Sequence, residues 1–378
     1  MPWQPKAIMD IKQEFVALAN QPGVNRRELC RRFGISPTTG YALLARVSRQ
    51  GEAGLQPASR RPLNSPSRTS KALEAAVLAQ RRENPTWGGR KLARRLRDLG
   101  WADVPAPSTI NAILHRHGQV SEAASTAAQH WQRFEHEAPN ALWQIDFKGD
   151  FHTAQTRCFP LTLLDDHSRY NLALQACRNV STESVQPRLA EAFERYGLPV
   201  RINADNGAPW GSPRQVESGL SALTVWLIRL GVRVTHSAPY HPQTNGKIER
   251  FHRSLKTELL AGQAFTDLQQ AQHAFEHWRA RYNHERPHDA LGLDTPASRY
   301  RPSQRSYPSR LPDIEYAEQD TVLNVTWNGE VRFGERRFKV SNALVKLPIA
   351  LRPDASQDGC FDVYFCHHRF MRLDLRND

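Results

Sequence analysis

Apolar positions in the first third of the chain recur at helical spacing, in short runs closed by Gly or Pro. Ile8, Ile11, Phe15 and Leu18 define an amphipathic helix that Gln21-Pro22-Gly23 ends. Asn25 caps a second helix through Phe33, with Leu29 and Phe33 inward, and Gly34 makes the turn. Ser36 is an N-cap and Pro37 suits the first helical position, so a third helix runs to about Ser48. Its inward residues are Tyr41, Leu44 and Val47; Thr38, Thr39, Ala42, Ala45, Arg46 and Arg49 point outward. A short helix, a Gly turn and a capped helix with small and basic outward residues make a helix-turn-helix pattern. Residues 51–69, rich in Gly, Pro, Ser and Arg, read as a linker. A second helix-turn-helix-like unit occupies 70–118: one helix capped by Ser70 and stopped by Asn84-Pro85, one from Gly89 to Leu99, and one capped by Ser108 and closed by Gly118. In the loop Trp87-Gly88-Gly89-Arg90-Lys91, backbone amides and two cations meet at a helix N-terminus, a phosphate-binding arrangement. Residues 119–139 connect this unit to the next.

From Asn140 the period changes. Ala141–Phe151, Cys158–Leu164 and Tyr170–Ala176 read as three strands of an antiparallel meander. A helix at Ser181–Tyr196, a strand at Pro199–Ala204, a helix at Val216–Leu230 and a strand at Val232–His236 follow. After a polar loop with Pro242, Asn245 and Gly246, Ile248, Phe251, Leu255 and Leu259 form one buried helical stripe, and a last helix spans about Thr266–Asn283. The order β-β-β-α-β-α-β-α-α over 140–300 predicts a mixed α/β domain. Residues 301–318 read as a second linker, and 319–378 alternate as short strands with turns at Asn328-Gly329 and Asp358-Gly359, the pattern of a small β-barrel.

Charge adds a partner class. Residues 1–130 hold 20 Lys or Arg against 9 Asp or Glu, a surplus of 11 out of the chain's formal +13. A basic front on a nearly balanced remainder points to nucleic acid. No basic amphipathic helix with an aromatic face favours a membrane surface, and the most apolar stretch, Leu220–Val234, is broken by Arg229 and Arg233. Five scattered cysteines without a Cys-x-x-Cys pair suit free thiols in a reducing cytoplasm. Cys360, Cys366, His367 and His368 have poor spacing for zinc.

Two acids in the α/β region stand out. Asp146 lies within the strand Trp143-Gln144-Ile145-Asp146-Phe147-Lys148, where an unpaired carboxylate is costly. Asp205 ends the strand Val200–Ala204, at the site-bearing edge of an open sheet. Glu249 sits on the helix entered from the next strand and shares a face with Arg253 and Lys256. Three oxygen-donor acids suit Mg²⁺, and two such ions about 3.5–4 Å apart clamp an in-line phosphodiester displacement. Asp165 and Asp166 rival Asp146, Asp150 lies on its face of the strand, and Asp205-Asn-Gly also reads as a turn.

The joint pattern resembles a known family. Trp143-Gln-x-Asp-Phe-Lys-Gly149, Asp205-Asn-Gly and His241-Pro-Gln-Thr-Asn-Gly-Lys-x-Glu-Arg-Phe-His-Arg-Ser-Leu-Lys256 are similar to the catalytic motifs of bacterial insertion-sequence transposases of the retroviral-integrase superfamily. Tyr282-Asn-x-x-Arg-Pro-His288 and Leu291-Gly-Leu-x-Thr-Pro296 resemble its downstream pattern. The resemblance implies an RNase H-like core with an Asp146–Asp205–Glu249 triad, two Mg²⁺ ions with Mn²⁺ as substitute, and Lys256 on the element's terminal phosphates. Arg253, Lys247, Asn245, Thr38, Thr39, Arg46, Arg49, Arg90 and Lys91 are the other DNA-contact candidates. Asp205 and Glu249 are separated by 43 residues, more than in retroviral members, with the excess near Pro209–Gly219. The expected protein is a DNA transposase, at least dimeric on double-stranded DNA, that binds terminal inverted repeats, cleaves 3′ ends and joins them to target DNA at the nucleoid. A metal-dependent nuclease of the same fold, and a helix-turn-helix regulator on a decayed core, are the alternatives.

Overall fold

The computed structural model describes residues 8–57, 69–120, 135–205, 207–211, 219–236 and 246–376. Two compact units result, Met1–Arg68 and Thr69–Asp378.

The first unit is three helices, α1 (Ile8–Ala19), α2 (Arg26–Arg32) and α3 (Pro37–Gln50), followed by a 3₁₀ turn, Gly51–Leu55. The caps fall where the sequence put them. Asn25 accepts from the amides of Arg27 and Glu28, and Ser36 accepts from that of Thr39. The inward face of α3 differs from the expected one. Gly40 and Leu43 are buried, Leu44 and Val47 are half-buried, and Tyr41 is 45% exposed. The reason is close packing: a Cβ at Gly40 would collide with Cys30 Sγ and Phe15, so α2 and α3 approach through a position with no side chain. On α1, Phe15 and Ala19 are the buried positions, while Ile8 and Ile11 are exposed.

The second unit starts with α4 (Lys71–Glu83), α5 (Gly89–Asp98) and α6 (Pro107–Arg116) around Val77, Trp87, Leu92, Leu96, Ile110 and Ile113. Here α6 begins one residue before the expected Ser108 cap, with Ala106 at the cap and Pro107 in the first turn.

The core sheet follows: β1 (Trp143–Phe147), β2 (Phe151–His152), β3 (Arg157–Asp165), β4 (Asn171–Cys177), then α7 (Thr182–Tyr196), β5 (Arg201–Ala204), α8 (Ala222–Arg229) and β6 (Arg233–His236). β3 pairs antiparallel with β1 and β4, while β5 pairs parallel with β1 and β6, so the sheet is mixed. Helices α9 (Gly246–Leu255) and α10 (Leu268–His284) complete it, with α11 (Pro296–Arg299) after them. Strand alternation decides the layers. Trp143, Ile145, Leu161 and Leu163 pack with Val185, Leu189 and Phe193 of α7 and Leu223 and Leu227 of α8. Leu164 and Leu174 pack with Phe251 and Leu255 of α9 and Phe275, Trp278 and Tyr282 of α10. Each fully buried large apolar side chain contributes roughly 1.5–3 kcal/mol, so both faces are firmly covered.

Residues 301–318, expected as a linker, lack regular structure yet lie pinned to the core. The Arg305 guanidinium donates to the carbonyls of Pro199, Leu230 and Gly231, and Ser303 Oγ donates to that of Leu198. Beyond them, β7 (Thr321–Asn324), β8 (Glu330–Phe333), β9 (Arg336–Lys339), β10 (Pro348–Pro353), β11 (Cys360–Phe365) and β12 (His368–Asp374) form a four-stranded sheet, β12-β11-β10-β7, and a two-stranded β8-β9 ribbon. Among the described residues these ladders do not close into the expected barrel.

Candidate active site

The candidate site grows from the alternation of β1. Since Trp143 and Ile145 face α7 and α8, Gln144 and Asp146 face α9. Gln144 is buried and holds α9 in place: its Oε1 accepts from the Ile248 amide at 3.2 Å and its Nε2 donates to Asp166 Oδ1 at 2.9 Å. Lys247 Nζ pairs with the other Asp166 oxygen, which also accepts from the His136 amide at 3.1 Å. This places the first turn of α9, with Glu249, beside β1.

Asp146 is partly exposed, at 28% of its side chain. Burial, then the negative charges of Asp205 and Glu249, push its carboxyl up to about 6. Asp205 follows β5 and is exposed; its Oδ1 accepts from the Gly207 amide at 3.1 Å. Glu249 is exposed on the first turn of α9. The charges of Asp205 and Glu249 therefore reach Asp146 at the sheet edge. Among the described residues no three acidic, His or Cys side chains are drawn close enough to hold a metal ion.

His252, one turn after Glu249, was not singled out in the sequence. It is buried, its Nε2 lies 2.8 Å from Thr162 Oγ1, and its Nδ1 lies 3.9 Å from Asp146 Oδ2. Thr162 donates its hydroxyl hydrogen to the Asp146 carbonyl at 2.8 Å, so His252 Nε2–H must be the donor in their pair. Burial, reinforced by Lys148, pushes the imidazole down to about 3, so the ring is neutral. The signal was available: His252 is three residues after Glu249, on the same helix face.

The rival acids are committed elsewhere. Asp165 accepts from the Asn140 and Ser168 amides and from the Ser168 hydroxyl. Asp166 holds Gln144 and Lys247, and Asp150 pairs with Arg157. Lys247, expected to meet DNA, is thus engaged by a carboxylate 2% exposed. Asn245 lies outside the described residues. Arg253 and Lys256 are both exposed on α9 and its extension, where Lys256–Leu260 forms a π-helical turn. The Tyr282–His288 motif braces that turn: Arg286 reaches Glu258 Oε1 at 2.9 Å and Ser254 Oγ at 3.1 Å, and Tyr282 stacks edge-on against Phe251.

Arg90 and Lys91, expected on a phosphate, face the core: their cations lie 3.2 and 3.9 Å from the carboxylate of Asp289. Burial, with the nearby Arg286 charge, pushes the Lys91 ammonium down to about 8. The Gly89 amide is taken by Asn111 Oδ1 at 3.0 Å. The basic face of α5 docks on an acidic rim, with Arg94 on Asp294 and Arg95 on Glu285. In the first unit Thr38 and Thr39 are exposed on α3, Arg46 Nε donates to the Gly54 carbonyl at 2.5 Å and Arg49 Nε to that of Ala45 at 3.2 Å.

Known families match this layout. Integrase core domain models match residues 136–242 and 230–296, and the C-terminal domain of the IS481 family transposase matches 320–378. A helix-turn-helix domain matches 11–62 and a homeodomain-like domain 39–114. The chain thus carries regions similar to the integrase core domain and to the C-terminal domain of an insertion-sequence transposase. It is 30% identical over 159 residues to the "uncharacterized 39.2 kDa protein" of insertion element IS476 from Xanthomonas euvesicatoria, covering 42% of this chain and 44% of that one. The 31.7 kDa protein of IS407 from Burkholderia multivorans is 30% identical over 160 residues, covering 42% and 55%. The chain thus spans about half the length of these relatives. Among solved structures, the catalytic core domain of BIV integrase superposes with a TM-score of 0.32 at 24% identity, over 42% of this chain and 92% of that one. The HTLV-2 integrase catalytic core in complex with magnesium gives 0.33 at 16%, over 44% and 99%. These superpositions are too loose to carry residue roles across.

Proposed function

We propose that the chain is a DNA transposase that binds the terminal inverted repeats of its element, hydrolyses a phosphodiester at each 3′ end and directs the freed 3′-hydroxyl at target DNA. The observation that carries this reading is the loading of Asp146 by two other acids, Asp205 from the next strand and Glu249 from α9. Like charges held at one sheet edge favour a cation among them, and the donor set is all oxygen, which fits Mg²⁺ or Mn²⁺. In this reading Asp146, Asp205 and Glu249 hold two Mg²⁺ ions. When bound, the metal activates the attacking oxygen and offsets charge at the phosphate. The chain's own part is positional. Gln144 seats α9 on β1, the neutral His252 and Thr162 fix the Asp146 main chain, and exposed Arg253 and Lys256 meet the flanking phosphates.

Residues 1–50 and 70–118 serve as DNA-recognition modules, 140–300 as an RNase H-like polynucleotidyl transferase core, and 319–378 as a C-terminal module of two open sheets around Val331, Ile349, Val363 and Phe365. Cutting two ends in one event calls for at least a dimer on DNA, acting at the nucleoid in the cytoplasm. Among the described residues no helix is long and apolar enough to cross a membrane.

The test is the full chain with a duplex carrying an element end, with and without Mg²⁺. Site-specific 3′ nicking that EDTA abolishes is expected. Nicking that persists in EDTA, or binding without any metal-dependent cut, would overturn the reading.

A further inference from the structure

The start of β5 and the start of β6 carry a second basic site. Arg201 and Arg233 are direct partners in the parallel ladder. Like charges set opposite each other across a ladder destabilise it unless something neutralises them. Among the described residues neither guanidinium has a hydrogen-bonding or ion-pairing partner. Both line a cleft of about 610 Å³ with Gly231, His367, His368 and Arg369. His367 lies in the β11–β12 turn and His368 and Arg369 open β12, so the C-terminal sheet closes one side of the cleft and the core edge strand the other. Among the described residues, the only lining residue that meets an acid is Arg369, 3.1 Å from Asp362, and that carboxylate does not line the cleft. Burial, then the charges of Arg233 and Arg305, push the His367 imidazole down, which records the positive potential there.

The cleft is separate from the three acids. Arg201 stands at the first residue of β5 and Asp205 just past its last, so the two sites lie roughly 13 Å apart along the strand at about 3.3 Å per residue.

We propose that this cleft binds the phosphodiester backbone of a DNA strand, through Arg201, Arg233 and Arg369. A strand, rather than a single small anion, fits cations spread over two sheets and a cleft of this size. The proposal rests on the reading of the chain as a DNA-acting protein.

The experiment measures binding of full-length wild type, Arg233→Gln and Arg369→Gln to a duplex of random sequence across a salt series. Arg233 and Arg369 are exposed, so both variants should fold; a melting curve checks this. Each lost phosphate contact should flatten the slope of log K against log salt by about 0.9. Arg233→Gln should also melt no lower than wild type without DNA, since it removes the repulsion with Arg201. Unchanged slopes in both variants, with wild type binding normally, overturn this inference alone. Failure of wild type to bind any DNA overturns the DNA-acting reading as well. If inorganic phosphate raises the wild-type melting temperature as much as duplex at equal phosphate concentration, the cleft is a small-anion site and the strand proposal is overturned.

Discussion

The main-chain amide of Ile248 donates to the side chain of Gln144 at 3.2 Å, and this bond joins the helix carrying Glu249 to the strand carrying Asp146. Gln144 spends its other end on Asp166. Replacing it with Ala leaves a buried amide and a buried carboxylate short of partners, at about 1–3 kcal/mol per unsatisfied group. We expect Gln144→Ala to lower the melting temperature and to reduce end cleavage more than end binding. Wild-type cleavage in a folded Gln144→Ala protein would remove the residue from this role.

The three acids should answer to metal as a set. Mg²⁺ should raise the melting temperature of the wild-type chain through binding to the folded state, and the rise should vanish in Asp146→Asn, Asp205→Asn and Glu249→Gln. Without metal, Asp146→Asn should melt higher than wild type, because it relieves the repulsion among the acids. Cleavage and joining should be lost in each variant with end binding kept. Strand transfer surviving in any one of them excludes that residue as a ligand.

Lys256 is exposed and lies seven residues after Glu249, about 10 Å along the helix at 1.5 Å per residue, on nearly the same face. Lys256→Glu should weaken end engagement and joining with little change in melting temperature. A cysteine placed at 256 should crosslink to terminal nucleotides of the element; crosslinks only to distant DNA would contradict this placement.

Gly40 tests the first unit. Adding a methyl there forces α2 and α3 apart against Cys30 and Phe15, and such overpacking costs about 1–3 kcal/mol, more than the roughly 1 kcal/mol that Ala gains over Gly in a helix. Gly40→Ala should therefore destabilise the unit and weaken DNA binding. Adding Cys30→Ala should restore part of the loss, a coupling that a double-mutant cycle reads directly. Additive effects would show that Cys30 is not the obstacle.

Much of this was legible in the chain itself. The caps at Asn25, Ser36 and Ser70, the strand–helix order from β1 to α10 and the stripe Ile248, Phe251, Leu255 follow from local rules, because caps and periodicity are settled within a few residues. The alternation of Trp143-Gln144-Ile145-Asp146 already put Gln144 and Asp146 on one face. What periodicity does not encode is the partner across space. Asp146 and Asp166 were similar candidates until helix packing gave Asp166 to Gln144 and Lys247 and left Asp146 with Asp205 and Glu249. Arg90 and Lys91 read as phosphate ligands until α5 docked on Asp289, and Tyr41 read as core until Gly40 drew the helices together at a neighbouring position. The pairing of Arg201 with Arg233 exists only once two distant strands lie side by side in register. Local sequence set which faces are apolar and where charges stand on each element; tertiary packing decided which charges are neutralised by the protein and which remain to act on something else.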